Sequence, residues 1–101
     1  MRDKIRQLID ARGEMWSLVK AAEEPAELTQ AVAKYVEARL EDSQVPFTGY
    51  KESIIEEIVD VLICIKMLCQ ILNIPDEVID TELQNKMQSN LKRAEKLKKG
   101  E

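Results

Sequence analysis

The alternation of apolar and polar positions divides the chain into four helical segments. A short first helix is predicted where apolar residues recur at helical spacing, at Ile5, Leu8 and Ile9. Gly13 closes or bends this helix. A long helical pattern then runs from Glu14 to about Asp42, interrupted only by Pro25. Because a proline inside a helix removes a hydrogen bond and costs roughly 3 kcal/mol, we expect the helix either to kink at Pro25 or to begin anew there.

One loop separates this long helix from the second half of the chain. Residues 42–51, with the sequence DSQVPFTGYK, combine several turn-forming residues and are predicted to be that loop. A third helix is expected over residues 52–73, apolar around nearly its whole circumference, and it ends at the helix-breaking sequence NIPDE. A last helix with an apolar stripe begins at Asp76 and frays through the closing sequence KLKKGE. The sequence therefore predicts an all-α bundle of about four helices, one short and three long, in a single domain over residues 1–101.

The apolar surface of the third helix is larger than the other segments can cover. One partner helix shields only a stripe of its neighbour, so a single copy would expose a larger apolar patch than soluble proteins usually tolerate. A chain of 101 residues is also marginal as a monomer. We therefore expect homodimerisation to complete the bundle, with a homotetramer as a further possibility.

Composition favours a helical protein of the reducing cytoplasm. Hydrophobic residues make up 45% of the chain and charged residues 34%, a balance that excludes a disordered chain. Cys64 and Cys69 lie about 140° apart around one helix, so they cannot bridge within it and are expected to be buried thiols. The chain has no histidine and no CxxC pair, which excludes zinc-finger, thioredoxin and Cys/His catalytic arrangements.

The most apolar stretch is not expected to enter a membrane. Residues 58–72 are fewer than the roughly 20 that a span requires, and they include Asp60 and Lys66. The net charge is -4, but residues 86–99 are strongly basic. Such a tail could contact nucleic acid, a phosphorylated ligand or only solvent, and a solvated helix end is the commonest of these because cations are favoured at a helix C-terminus. We expect no nucleic-acid polymer as a partner.

Two pairs of carboxylates carry the strongest chemical signal. Glu24 and Glu27 in the sequence EEPAE are three residues apart, as are Glu57 and Asp60 in EIVD, so each pair shares one helix face. The first pair alone would most often be a solvated face. Asp60 differs, because an unpaired carboxylate among buried apolar residues costs several kcal/mol. A cation shared by all four would neutralise both pairs, and hard oxygen ligands suit Mg²⁺ or Mn²⁺.

The two motifs in this order resemble a known family. EEPAE followed by EIVD is similar to the EExxE and ExxD signature of the MazG-like, all-α nucleoside triphosphate pyrophosphohydrolases. A short first helix ending at a glycine and a Lys/Arg-rich last helix also stand in the family's order, so the resemblance covers nearly the whole chain. Two features depart from the pattern. Pro25 replaces a helix-compatible apolar residue, and the spacer between the motifs is long, which we assign to the loop around Pro46 and Gly49.

The resemblance implies a Mg²⁺-dependent enzyme that converts a nucleoside triphosphate, ribo or deoxyribo, to the monophosphate and pyrophosphate. Water would attack the α-phosphorus, and either Glu24 or Glu27 would accept its proton. Family members assemble as dimers or pairs of dimers, with sites near the interface. All four carboxylates would bind the metal: Glu24, Glu27, Glu57 and Asp60.

Candidate substrate-binding residues lie in the last helix and before the first motif. Lys86, Asn90 and Arg93 are spaced to form one polar stripe that suits phosphate oxygens. The resemblance supports this role, since family members bind substrate phosphates through such a run, although an ordinary solvated face is the alternative. Trp16, two turns before the acidic motif, is expected either to stack on a base or to pack in the core.

Two other functional classes remain open. The chain could be a helical interaction module whose acidic face binds a basic partner, or a carboxylate metal-binding protein without hydrolytic activity. Removal of Mg²⁺ would not affect the first, whereas Mg²⁺ or Mn²⁺ would stabilise the second without any pyrophosphate release.

Overall fold

The structure is a computed structural model that describes residues 1–100, and every regular element in that range is a helix. The elements follow the predicted order of one short and three long helices, which confirms the all-α class. Their bounds are α1 Arg2–Arg12, α2 Glu14–Glu41, α3 Thr48–Ile71 and α4 Asp76–Lys98. None of the four combines the length and apolar character that crossing a bilayer requires.

The junction between α1 and α2 depends on Gly13. Its φ of 96° and ψ of 154° lie in a region that residues with a Cβ rarely adopt, so the predicted break has a conformational cause. Its N–H donates to the carbonyl of Ile9 at 2.7 Å and its carbonyl accepts from the Ser17 hydroxyl at 2.9 Å. One glycine thus ends α1 and begins α2.

α2 continues through Pro25 as one helix, so no new helix begins there. The Thr29 hydroxyl donates to the Pro25 carbonyl at 2.9 Å within this stretch. Glu24 and Glu27 of the first motif therefore lie on the same continuous helix, with helical spacing between them.

α3 begins earlier than the sequence indicated. The Phe47 carbonyl accepts hydrogen bonds from the N–H groups of Tyr50 and Lys51, at 3.0 and 2.8 Å, so Thr48 and Gly49 belong to the first turn of the helix. The predicted loop over 42–51 is therefore shortened to residues 42–47.

α3 ends at Ile71, two residues before the predicted end at residue 73, for an identifiable reason. Asn73 has a φ of 55°, the left-handed conformation that asparagine tolerates better than most residues. The N–H groups of Ile74 and Asn73 donate to the carbonyls of Cys69 and Gln70, which is the hydrogen-bond pattern of a Schellman cap.

The buried core is small and lies where α1 contacts both long helices. Ile5 and Ile9 of α1 meet Cys64 and Met67 of α3, with Ser17 of α2 also buried. α2 and α3 pack along each other beyond this core. Cys64 is a buried free thiol as expected, whereas Cys69 is half-buried.

α4 does not pack along any other helix, and each of its residues is exposed. The apolar stripe predicted for α4 is therefore uncovered in a single copy. α3 likewise exposes several large apolar side chains in a single copy, as expected from its apolar circumference: Ile55, Ile58, Val59, Leu62 and Ile65.

Candidate metal centre

The loop of residues 42–47 makes α2 and α3 antiparallel neighbours, and this brings the two acidic motifs to the same level. Tyr35 of α2 packs against Tyr50 of α3, with ring centroids 5.4 Å apart. When Tyr35 of an antiparallel pair faces Tyr50, residue 27 on α2 lies opposite residue 57 on α3, and residue 24 lies opposite residue 60. The aromatic contact near the loop is therefore consistent with the pairing of the motifs.

Three of the four predicted carboxylates form a tight group. Glu24, Glu57 and Asp60 each offer one oxygen, and these oxygens lie within 4.8 Å of one another. We call these residues the carboxylate triad. All three side chains are half-buried. The fourth residue, Glu27, is exposed and lies outside this tight group, but its charge is close enough to raise the pKa of both Glu24 and Glu57. The structure thus brings together all four acidic residues selected from the sequence.

Two oxygens of the triad are left without a partner. Oε2 of Glu24 and Oε2 of Glu57 are buried and accept no hydrogen bond. Two ionised carboxylates cannot satisfy each other, since neither carries a proton. Among residues 1–100 the ion pairs are Arg6–Asp10 and Lys20–Glu23, so none of the four carboxylates is paired with a cation there.

Burial and the crowding of negative charge raise the pKa of two of these glutamates. Burial raises the pKa of Glu24 above its ordinary value, and the neighbouring carboxylates of Glu27, Asp60 and Glu57 raise it further. The pKa of Glu57 is raised for the same reasons, burial first and then the charges of Glu27 and Asp60. The site therefore favours either bound protons or a bound cation.

The site is closed at one end by the core. Cys64, one helical turn beyond Asp60, is only 5% exposed and belongs to the core cluster with Met67. Burial raises the pKa of this thiol, and the charges of Glu24 and Asp60 raise it further, in keeping with its position one turn from Asp60. This end offers no route for a ligand.

The other end of the site opens into a cleft between α2 and α3. Glu27 and Glu57 lie in its wall, and its volume is about 430 Å³. The remaining polar side chains that line it are Gln30, Lys34, Tyr50 and Ser53. Sequence reasoning did not select these four as site residues. The available signal was the position of Lys34, seven residues after Glu27 and so on the same face of α2.

The candidate phosphate-binding residues of the last helix lie elsewhere in a single copy. Lys86, Asn90 and Arg93 are exposed on α4, which does not pack along α2 or α3. The chain therefore does not itself bring this polar stripe onto the carboxylate triad.

Trp16 is half-buried and packs against the core cluster. The Arg12 guanidinium lies 4.7 Å from the centre of its ring, and the Lys20 ammonium lies 5.8 Å from it. Both cations are close enough for cation–π attraction. Trp16 was expected either to stack on a base or to pack in the core, and the structure shows the packing. Two cationic side chains also lie near its ring.

The donor set fits a hard divalent cation. Carboxylate oxygens are the ligands that Mg²⁺ and Mn²⁺ prefer, and a positive ion would satisfy the two unpartnered oxygens and offset the crowded negative charge. No known protein family, curated protein or solved structure matches this chain.

Proposed function

We propose that the chain is a Mg²⁺-dependent nucleoside triphosphate pyrophosphohydrolase, which converts a ribo- or deoxyribonucleoside triphosphate and water to the monophosphate and pyrophosphate. The observation that carries this proposal is the convergence of four carboxylates with two buried, unpartnered oxygens between α2 and α3. The resemblance of the motifs EEPAE and EIVD to the MazG-like signature supports the same activity.

The carboxylate triad would hold the metal, Mg²⁺ or alternatively Mn²⁺. Glu24 and Glu57 would use the oxygens that have no other partner, and Asp60 would complete the group. Bound there, the ion supplies positive charge that polarises phosphate oxygens and lowers the pKa of water.

Proton transfer would fall to a carboxylate beside the triad. The water oxygen forms a bond to the α-phosphorus while the bond from that phosphorus to the bridging oxygen of the β-phosphate breaks, so that pyrophosphate leaves. Glu24 and Glu27 are both candidates to accept the proton of the water. Glu27 is favoured because it is exposed in the cleft and lies outside the tight oxygen group.

We also propose that the chain works as a homodimer or as a homotetramer built from two such dimers. The exposed apolar residues of α3 and the uncovered stripe of α4 support this, because both would be shielded by a second copy. The charges are complementary as well, since the second half of α4 is basic and the face around the triad is acidic. A partner's α4 would then bring Lys86, Asn90 and Arg93 to the phosphates.

The two free cysteines support a cytoplasmic location.

A pyrophosphate-release screen over ribo- and deoxyribonucleoside triphosphates tests the activity. We expect release from at least one nucleotide with Mg²⁺ and none with EDTA. Stabilisation by Mg²⁺ without release from any nucleotide would instead indicate a metal-binding protein. The absence of both pyrophosphate release and Mg²⁺ stabilisation would indicate an interaction module. Either of these two outcomes would overturn the proposal.

A further inference from the structure

The cleft next to the carboxylate triad contains polar chemistry that the metal site does not use. Its wall combines the carboxylates of Glu27 and Glu57 with the ammonium of Lys34 and the neutral donors of Gln30 and Ser53. We propose that this cleft is a polyphosphate subsite within the same chain and that Lys34 is its phosphate-binding cation. The inference rests on the proposed function, which it deepens by assigning the direction in which the triphosphate extends.

Access to the triad supplies the first argument. Cys64 and Met67 are buried at one end of the site, with 5% and 1% of their surfaces exposed. At the other end Glu27 and Glu57 border the open cleft. A phosphate held at the triad can therefore extend along the cleft, but it cannot extend into the core.

The position of Lys34 supplies the second argument. It lies two helical turns after Glu27, about 10 Å further along the same face of α2. Lys34 forms no ion pair within residues 1–100, so its ammonium is available to a ligand. The separation lets Lys34 neutralise charge at the far part of a polyphosphate while the triad acts on the near part.

The remaining wall suits phosphate or sugar oxygens. Gln30 and Ser53 offer an amide and a hydroxyl that donate without adding charge. Tyr50 brings a phenolic hydroxyl, and its ring is fixed by the contact with Tyr35. Gly49 and Tyr50 belong to the first turn of α3, whose positive dipole end adds to the attraction for anions.

The same wall also sets a condition on binding. Glu27 and Glu57 would repel a polyphosphate unless a divalent cation offset their charge. Binding in the cleft should therefore require Mg²⁺, whereas binding of the metal should not require Lys34.

The test uses inorganic tripolyphosphate as the probe and isothermal titration calorimetry in the presence of Mg²⁺. We compare the wild type with Lys34→Ala, with Lys34→Arg and with Lys51→Ala, which removes an exposed cation of α3 outside the cleft. We expect Lys34→Ala to weaken binding about tenfold, and Lys34→Arg to retain most of it. Lys51→Ala should match the wild type. Binding of Mn²⁺, followed by electron paramagnetic resonance, should be equal in all four proteins.

Two outcomes would overturn the subsite. One is wild-type affinity for tripolyphosphate in Lys34→Ala, and the other is no binding by the wild type at any Mg²⁺ concentration. The proposed function fails separately. If tripolyphosphate binding depends on Lys34 but no nucleotide releases pyrophosphate, the subsite is supported and the proposed activity is wrong. If Lys34→Ala still releases pyrophosphate with an unchanged KM, the subsite is wrong and the activity is supported.

Discussion

Glu24 and Glu57 each hold one oxygen away from water without a hydrogen bond, among two further carboxylates. An arrangement of this kind destabilises the fold when no cation is bound, because like charges repel and buried charge is poorly solvated. This crowding of carboxylates between α2 and α3 is the residue-level reason for proposing a metal site there. The same feature makes the metal-free protein a sensitive probe of the site.

The first prediction concerns pH. The pKa of Glu57 is raised in the folded chain above its ordinary value of 4.5, so the folded state binds more protons than the unfolded state as pH rises from that value. The associated stability is present at low pH and is lost as pH rises through the raised pKa. In EDTA, Glu57→Gln should therefore raise Tm by a few degrees at pH 7 and have little effect below pH 4.5.

Thermal unfolding followed by circular dichroism, with and without Mg²⁺, checks this prediction. Mg²⁺ should stabilise the wild type more than it stabilises Glu57→Gln. A lower Tm for Glu57→Gln at pH 7 in EDTA would show that the carboxylate is stabilising, and the argument from charge crowding would be wrong.

The second prediction concerns turnover. Asp60→Asn should abolish pyrophosphate release, because an amide is a poorer ligand for a hard cation and cannot offset its charge. Glu27→Gln should lower kcat by about 10²- to 10⁴-fold, the usual contribution of a general base. Glu23→Gln is the matched control, since Glu23 is exposed and pairs with Lys20 at 3.6 Å. Full activity of Asp60→Asn at saturating Mg²⁺ would remove that residue from the site.

Helix periodicity explains why these carboxylates were predictable and their neighbours were not. A spacing of three residues places Glu24 with Glu27 on one face whatever the tertiary structure, and the apolar surroundings of Asp60 required a partner. The cleft residues gave no comparable signal. Ser53 becomes a neighbour of Glu27 only through the register between α2 and α3, which no local pattern encodes, whereas Lys34 shares a face of α2 with Glu27 but no second charge marked it as a site residue.

At the scale of elements, two of the predicted helix ends are set by the conformation of a single residue. Gly13 and Asn73 end helices because each adopts a positive φ. Thr48 and Gly49 were expected to belong to the loop but are helical, because the Phe47 carbonyl captures the first N–H groups of α3. The placement of α4 was not predictable, since an apolar stripe does not specify which surface covers it.

The third prediction tests the junction that places α1 on the core. Gly13→Ala should lower the free energy of unfolding by about 1–3 kcal/mol, because alanine is strained at a φ of 96°. Gly49→Ala is the control, since Gly49 is helical and an added Cβ would meet no atom within 4 Å. That variant should have equal or slightly higher stability. Urea unfolding measures both, and equal stability of Gly13→Ala and the wild type would contradict the assigned role.

At the scale of the whole molecule, a single copy leaves its last helix uncovered. Leu83, Met87 and Leu91 of α4 are each more than half exposed, as is Leu62 of α3. Apolar surface of this extent on a small chain supports the proposed self-association, because a second copy would offer both complementary charge and complementary apolar surface.

The last prediction is that the chain self-associates and shares its sites between copies. Light scattering at micromolar concentration should give at least twice the 11.6 kDa of one chain. If the partner's α4 supplies phosphate contacts, Lys86→Ala and Arg93→Ala should weaken turnover, whereas Lys98→Ala near the end of α4 should not.

Mixing Asp60→Asn with the double variant Lys86→Ala/Arg93→Ala should then restore activity, to about a quarter of the wild type, because half of the random dimers contain one intact site. A monomeric mass would remove the shared site altogether. A dimer without restored activity after subunit exchange would keep self-association but assign the phosphate contacts to the chain that holds the metal.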